Sequence, residues 1–350
     1  MRCKNFKFKD SCRSIPSTTY LTHGMHSYTA KFIPHMPQYF IRKYTKPGDT
    51  ILDPFCGSGT TLVEAKINGV NSFGIDLNPL AQLITKVKTT PLNPKDLNES
   101  ILKLKKLLKS RLKLSYDINF QNKFYWFHKR TVRDLRKIMS AIKLLRSRGE
   151  INNDIEDFFL VSFSSIIRYS SYADPQNPKT YCSPRMRKLR DANIPRYPIP
   201  YFIKTVDKNR NNMEEFYNKI NQLEIEPFSE LALSSDATDI KLPKGKNPVD
   251  LIITSPPYAN AQEYFRNIKL ELFWLGLADK EKINMLDKKQ IGGENHAAIH
   301  YLNLQETGHN KIDRLIKKLY TKNKKSSYIV YKYFVNMKKV LQQCCKVLKK

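Results

Sequence analysis

Asp53-Pro54-Phe55-Cys56-Gly57-Ser58-Gly59-Thr60-Thr61 decides how this chain folds. The apolar run Thr50-Ile51-Leu52 enters it as a buried strand, and Leu62-Val63-Glu64-Ala65 leaves it on a helical pattern. Strand, glycine turn, helix is the order in which a backbone loop and a helix N-terminus cradle a nucleoside cofactor. A second strand, Val70-Asn71-Ser72-Phe73-Gly74-Ile75, ends at Asp76, followed by Leu77, Asn78 and Pro79. An acid about 20 residues beyond the loop is at the distance that reaches ribose hydroxyls, although an aspartate after a strand also serves as a helix cap.

Far downstream, Val249-Asp250-Leu251-Ile252-Ile253 reads as another buried strand and runs into Thr254-Ser255-Pro256-Pro257-Tyr258. Two consecutive prolines hold the backbone extended and rigid, so the preceding serine and the first proline's carbonyl form a preorganised pair of acceptors. The ring of Tyr258 is suited to stacking on a planar group.

Together these strings resemble the amino-methyltransferases of DNA, which move a methyl group from S-adenosylmethionine to an exocyclic base nitrogen. The resemblance implies an α/β fold, a Rossmann-like doubly wound sheet with a largely helical insertion. It implies cofactor contacts by Asp53, Pro54, Phe55, Gly57, Ser58, Gly59, Thr60, Asp76, Leu77 and Asn78. Phe32, in the segment before the first strand, would close over the methionine end of the cofactor, or else pack under the helix. Phe228 to Leu233 resembles the third strand, with Asp236 and Ala237 after it meeting the adenine. Ser255, Pro256, Pro257 and Tyr258 would be the catalytic set, acting on a base turned out of the duplex. In this family a serine at the Ser255 position goes more often with cytosine N4 than with adenine N6, which favours cytosine.

The chain has 350 residues, 61 Lys and Arg against 32 Asp and Glu, and a formal net charge of +29. Such an excess points to a polyanionic partner, here double-stranded DNA, even though the Lys, Asn and Ile usage of an AT-rich genome accounts for part of it. No run is long and apolar enough for a bilayer and the N-terminus lacks a signal-peptide pattern, so the expected location is the cytoplasm, with no membrane partner. Six cysteines (Cys3, Cys12, Cys56, Cys182, Cys344 and Cys345) show neither C-x-x-C spacing nor nearby histidines, so no metal site is expected. No Pro-Cys pair is present, which argues against methylation at cytosine C5.

From about residue 97 the pattern turns to charged helices. The sequence divides into a discontinuous catalytic domain, 1–100 and 226–350, and an inserted segment, 101–225. Arg185, Arg187, Lys188, Arg190 and Arg196 lie in a stretch rich in aromatics and proline that reads as a loop tracking DNA phosphates. The family's sheet has seven strands, and a final helical stretch from Tyr333 ends near where the fifth would begin. The sheet is therefore expected to be incomplete at its C-terminus, with another polypeptide supplying strands. A cognate restriction endonuclease is the other expected partner.

A P-loop would need Lys after the glycines where Thr60 stands, and G-x-G-x-x-G is absent. The alternatives left open are an adenine-N6 enzyme, an RNA base methyltransferase, and an inactive or split DNA-binding subunit.

Overall fold

The computed structural model describes residues 17–177, 179–243, 248–259 and 264–349. Its framework is a parallel sheet of four short strands, β1 (Thr50–Asp53), β2 (Asn71–Gly74), β3 (Ser229–Leu231) and β4 (Leu251–Ile252), in the order β3-β2-β1-β4. Leu52 pairs with Phe73 on one side and Ile252 on the other. Next to β4, a single parallel bridge joins Val249 to Leu348.

Neighbouring residues of a strand point to opposite faces. Ile51 accordingly packs with Ile41, Ala65 and Val70, whereas Leu52 packs with Phe73, Val249, Val340 and Cys344. Helices thus cover both faces. On the first lie α1 (His35–Tyr44) and α2 (Thr60–Ile67). Next come α3 (Pro79–Thr89) and α4 (Pro94–Lys109). Both begin with a proline in the first turn and an asparagine cap, Asn78 or Asn93, a combination that favours helix initiation.

The inserted segment is helical: α5 (Lys129–Ser147), α6 (Asn153–Ser170), α7 (Pro184–Asp191) and α8 (Pro198–Ile220). Its buried residues Leu135, Phe158, Phe163 and Phe216 form one cluster with Leu80, Ile84 and Val87 of α3 and with Leu272 and Trp274. The boundary placed at residue 100 falls inside α4. A second correction concerns Arg185 to Arg190: it is the helix α7 and not a loop, because Ser183 caps it and Pro184 starts it. Beyond β4 follow α9 (Lys269–Trp274), α10 (Lys280–Lys289), α11 (Asn310–Tyr320) and α12 (Lys324–Val347). The last of these starts nine residues earlier than the stretch legible from Tyr333. No helix among the described residues is long and apolar enough to cross a membrane.

Candidate active site

The C-terminal ends of the parallel strands open into one cleft, where ligands of open α/β sheets are generally held. It is lined by Pro54, Phe55 and Gly57 after β1, Asp76, Leu77 and Asn78 after β2, Asp236 and Ala237 after β3, and Ser255 and Pro257 after β4. A smaller adjoining cavity is lined by Phe32, Asp53, Ser58 and Thr60, and it shares Phe55, Gly57 and Ser255 with the first. Four strand ends therefore bring nearly all the cofactor and catalytic residues expected from sequence to one place. Gly59 lines neither cavity. At φ +77° it caps α2, and a Cβ there would come within 2.9 Å of Thr85, so glycine lets the loop lie against α3.

Hydrogen bonds from α3 fix the loop from below. Thr85 Oγ1 donates to Gly57 O at 2.9 Å, and the fully buried Lys88 Nζ donates to Ser58 O at 2.9 Å. Desolvation pushes the Lys88 amine well below the usual lysine range. On the other side of α2, the buried Glu64 carboxylate is held by Tyr20, by His23 Nε2 at 2.7 Å and by Gln38 Nε2 at 3.1 Å.

The acids divide into two roles. Asp53 is buried, and its oxygens accept from Thr61 Oγ1 at 2.6 Å, Thr254 Oγ1 at 2.7 Å and the Phe55 N–H at 3.1 Å. It ties the start of α2 to the segment after β4 that carries Ser255. Asp76 accepts the Gly57 N–H at 2.9 Å and the Asn78 N–H at 2.8 Å, and its carboxylate faces the cleft. Burial pushes its pKa up to about 6 against the pull of those two donors. Asn78, not Asp76, caps α3, accepting from the Leu80 N–H at 3.0 Å. Asp236 accepts from the N–H and hydroxyl of Thr238.

Ser255 and Pro256 are exposed, and Tyr258 is 63% exposed. Pro256 and Tyr258 do not line it. Phe32 lines the smaller cavity while packing against Ile41 and Ile51. Cys56 is buried in the loop, and desolvation holds its thiol well above the usual range, far from a nucleophile's state.

Several lining residues were not anticipated. Tyr28, whose hydroxyl accepts from Asn78 Nδ2 at 2.9 Å, lies four residues before Phe32 and lines both cavities. Tyr264, Phe265, Lys289, Gln290 and Ile291 form the far wall. The signal for the last three was the pair Gly292-Gly293 that follows them. Gly292, at φ +79°, lies so close to Tyr258 that a Cβ would come within 2.3 Å of its carbonyl oxygen.

The basic residues expected to touch DNA are scattered over and beyond α7. Arg187 and Lys188 are exposed. Arg185 pairs with Asp174 at 3.4 Å, Arg190 stacks on Tyr125 at 4.5 Å and bonds Asp191, and Arg196 Nε donates to Tyr169 O at 3.1 Å.

Residues 7–86 match the family described as DNA methylase. The chain is 28% identical to the Type II methyltransferase M.MvaI of Kocuria varians over 95% of its own length and 75% of that protein's. It is 27% identical to the Type II methyltransferase M.BsoBI of Geobacillus stearothermophilus, over 77% of this chain and 55% of that one. A stretch covering 25% of this chain and 15% of the relative is 46% identical to the Type II methyltransferase M.MjaII of Methanocaldococcus jannaschii. The chain thus spans only part of the length of each. No solved structure matches it significantly.

Proposed function

We propose that the chain is a DNA amino-methyltransferase that uses S-adenosylmethionine to methylate the exocyclic amine of a flipped base, cytosine N4 in this reading, within a restriction-modification system. The observation that carries it is the convergence of Gly57, Asp76, Asp236, Ser255 and Pro257 on one cleft. The family match and the Type II relatives support the same reading.

The lining fits the cofactor. Gly57 is at φ +52°, and its missing side chain leaves the loop backbone open toward Tyr28, 3.7 Å from where a Cβ would be. Asp76 is an acceptor for ribose hydroxyls and Asp236 for an adenine amine, with Leu77 and Phe55 as apolar walls. Bound there, S-adenosylmethionine supplies a methyl group on a sulfonium, which departs as a neutral thioether.

The rest falls to the chain. An exocyclic amine is a weak nucleophile because its lone pair is delocalised into the ring. Ser255 Oγ and the Pro256 carbonyl accept its two hydrogens, which draws the nitrogen toward tetrahedral geometry and gives the departing proton an acceptor. Rigid acceptors cost little reorganisation, so positioning supplies most of the rate. The exposed Tyr258, three residues after Ser255, stacks on the extruded base.

The test is mass spectrometry of nucleosides from DNA incubated with the protein and cofactor. N4-methylcytosine is expected. N6-methyladenine would overturn the base assignment, and 5-methylcytosine the mechanism. Tyr258→Ala should keep cofactor affinity and lose most of the transfer to DNA. Equal activity in that variant would remove the stacking role.

A further inference from the structure

Residues 310–339 contain ten Lys and Arg and a single acid, Asp313. That acid faces inward: it is buried and accepts from the Thr307 N–H at 2.7 Å, Thr307 Oγ1 at 2.8 Å and the Gly308 N–H at 3.1 Å. The two helices of this stretch, α11 and the first part of α12, close on each other through Ile316 and Ile329, and Ser327 Oγ donates to Ile316 O at 2.9 Å. The outcome is a firm helical hairpin with its positive charge outside.

Its position follows from where α12 is tied down. The Val249 N–H donates to Val347 O and the Lys349 N–H to Val249 O, both at 2.8 Å, so the end of α12 lies at the start of β4. Met337, Val340, Cys344 and Val347 pack on the sheet, with Tyr333 the last residue to reach it. The longest strands, of four residues, span about 13 Å, whereas the 24 residues of α12 span about 36 Å. The N-terminal part from Lys324 to Tyr333 therefore overhangs the cleft end of the sheet by roughly 13 Å. There Lys325 pairs with Glu294 at 3.1 Å, two residues from the Gly292 that abuts Tyr258.

We infer that this hairpin is a phosphate-contacting arm that holds duplex DNA over the catalytic cleft, an inference that rests on the proposed function above. Lys311, Arg314 and Lys318 are exposed at successive turns of α11, and the exposed Lys322 continues the row. From Lys311 to Lys318 the row runs about 10 Å along α11, and Lys322 lies in the turn that follows, so the row is long enough to meet several phosphates of one strand. A row on a packed hairpin is better ordered for this than the cations around α7, where Arg185, Arg190 and Arg196 are engaged within the protein.

The experiment measures binding to a cognate and a scrambled DNA duplex, and to a structured RNA, across a salt series. It compares the parent with the variant K311Q/R314Q/K318Q/K322Q, and cofactor affinity and circular dichroism report on its fold. Four lost phosphate contacts, at about 0.9 each, should flatten the slope of log K against log salt by about 3 to 4. Both duplexes should weaken alike, and cofactor affinity should stay unchanged. An unchanged slope with a parent that binds and methylates DNA overturns the arm alone. A parent that neither binds nor methylates DNA overturns the function and the arm with it. A slope change seen on RNA and not on DNA also overturns the inference. The same substitutions to Lys311→Arg, Lys318→Arg and Lys322→Arg with Arg314 kept should restore the parental slope.

Discussion

Asp76 is a carboxylate with its pKa raised to about 6, in contact with two backbone N–H groups and open to the cleft. Desolvation makes its charge costly, so this group adds stability at acid pH that is lost as pH rises from its unfolded value near 4 through about 6. Hydroxyl donors from a bound ribose would favour the charged form and lower the pKa. Binding of S-adenosylmethionine at about pH 5.5 should then release a substantial fraction of a proton, and at about pH 8 close to none. Calorimetry in buffers of different ionisation enthalpy measures that release directly. Asp76→Asn should abolish it and weaken binding. Proton release unchanged in the variant would remove Asp76 from the ribose contact. The sequence carried this residue well, because an acid at the end of the second strand is a local signal. The helix cap, which the sequence offered as the alternative role for Asp76, falls instead to Asn78, which satisfies the first turn of α3.

At the scale of elements, the cleft depends on how β1, α2 and β4 are joined. Asp53 at the end of β1 holds Thr61 of α2 and Thr254, two residues beyond β4, residues about 200 positions apart, through bonds of 2.6 and 2.7 Å. Hydrogen bonds to a charged acceptor contribute about 1.5–3 kcal/mol, and a buried carboxylate that loses a donor keeps its desolvation cost. Thr254→Val should therefore lower stability by about that amount in urea unfolding. Its effect on kcat should exceed its effect on cofactor affinity, because it loosens the segment bearing Ser255 more than the glycine loop. If kcat is unaffected while stability falls, Asp53 has a structural role only. The half of the cleft built from residues 50–80 was legible because glycines, prolines and strand-end acids act over a few residues. The far wall, Lys289 to Ile291, was marked only by the Gly292-Gly293 pair after it, because the approach of Gly292 to the Tyr258 backbone is a tertiary contact that local pattern does not place. The same holds for α7: a proline and several arginines look like a loop until Ser183 is recognised as an N-cap.

At the scale of the whole molecule, the apolar surfaces decide how independent the inserted helices are. Phe163 of α6 is fully buried and meets Trp274 of α9 edge-on at 6.2 Å and Phe202 of α8 at 6.4 Å. Tyr116 also donates its hydroxyl to Trp274 O at 2.6 Å, a second link between the insertion and the chain after Tyr258. A change in composition at residue 97 marks where the chain leaves the sheet, but composition carries no information on which surfaces meet later. With α3 and α9 in the same core as α5, α6 and α8, the helical layer shares its main apolar cluster with the rest of the chain and keeps only a small one of its own, around Tyr172, Cys182 and Met186. Removing the ring in Phe163→Ala should cost about 3–5 kcal/mol, from lost burial and the cavity left behind. That loss should appear as one cooperative urea transition, with circular dichroism and tryptophan fluorescence shifting together to a lower midpoint. Added S-adenosylmethionine should raise both midpoints equally, because ligand bound at the sheet would stabilise every element that unfolds with it. A fluorescence transition preceding the loss of sheet signal, and insensitive to cofactor, would show the insertion to be a separate domain after all.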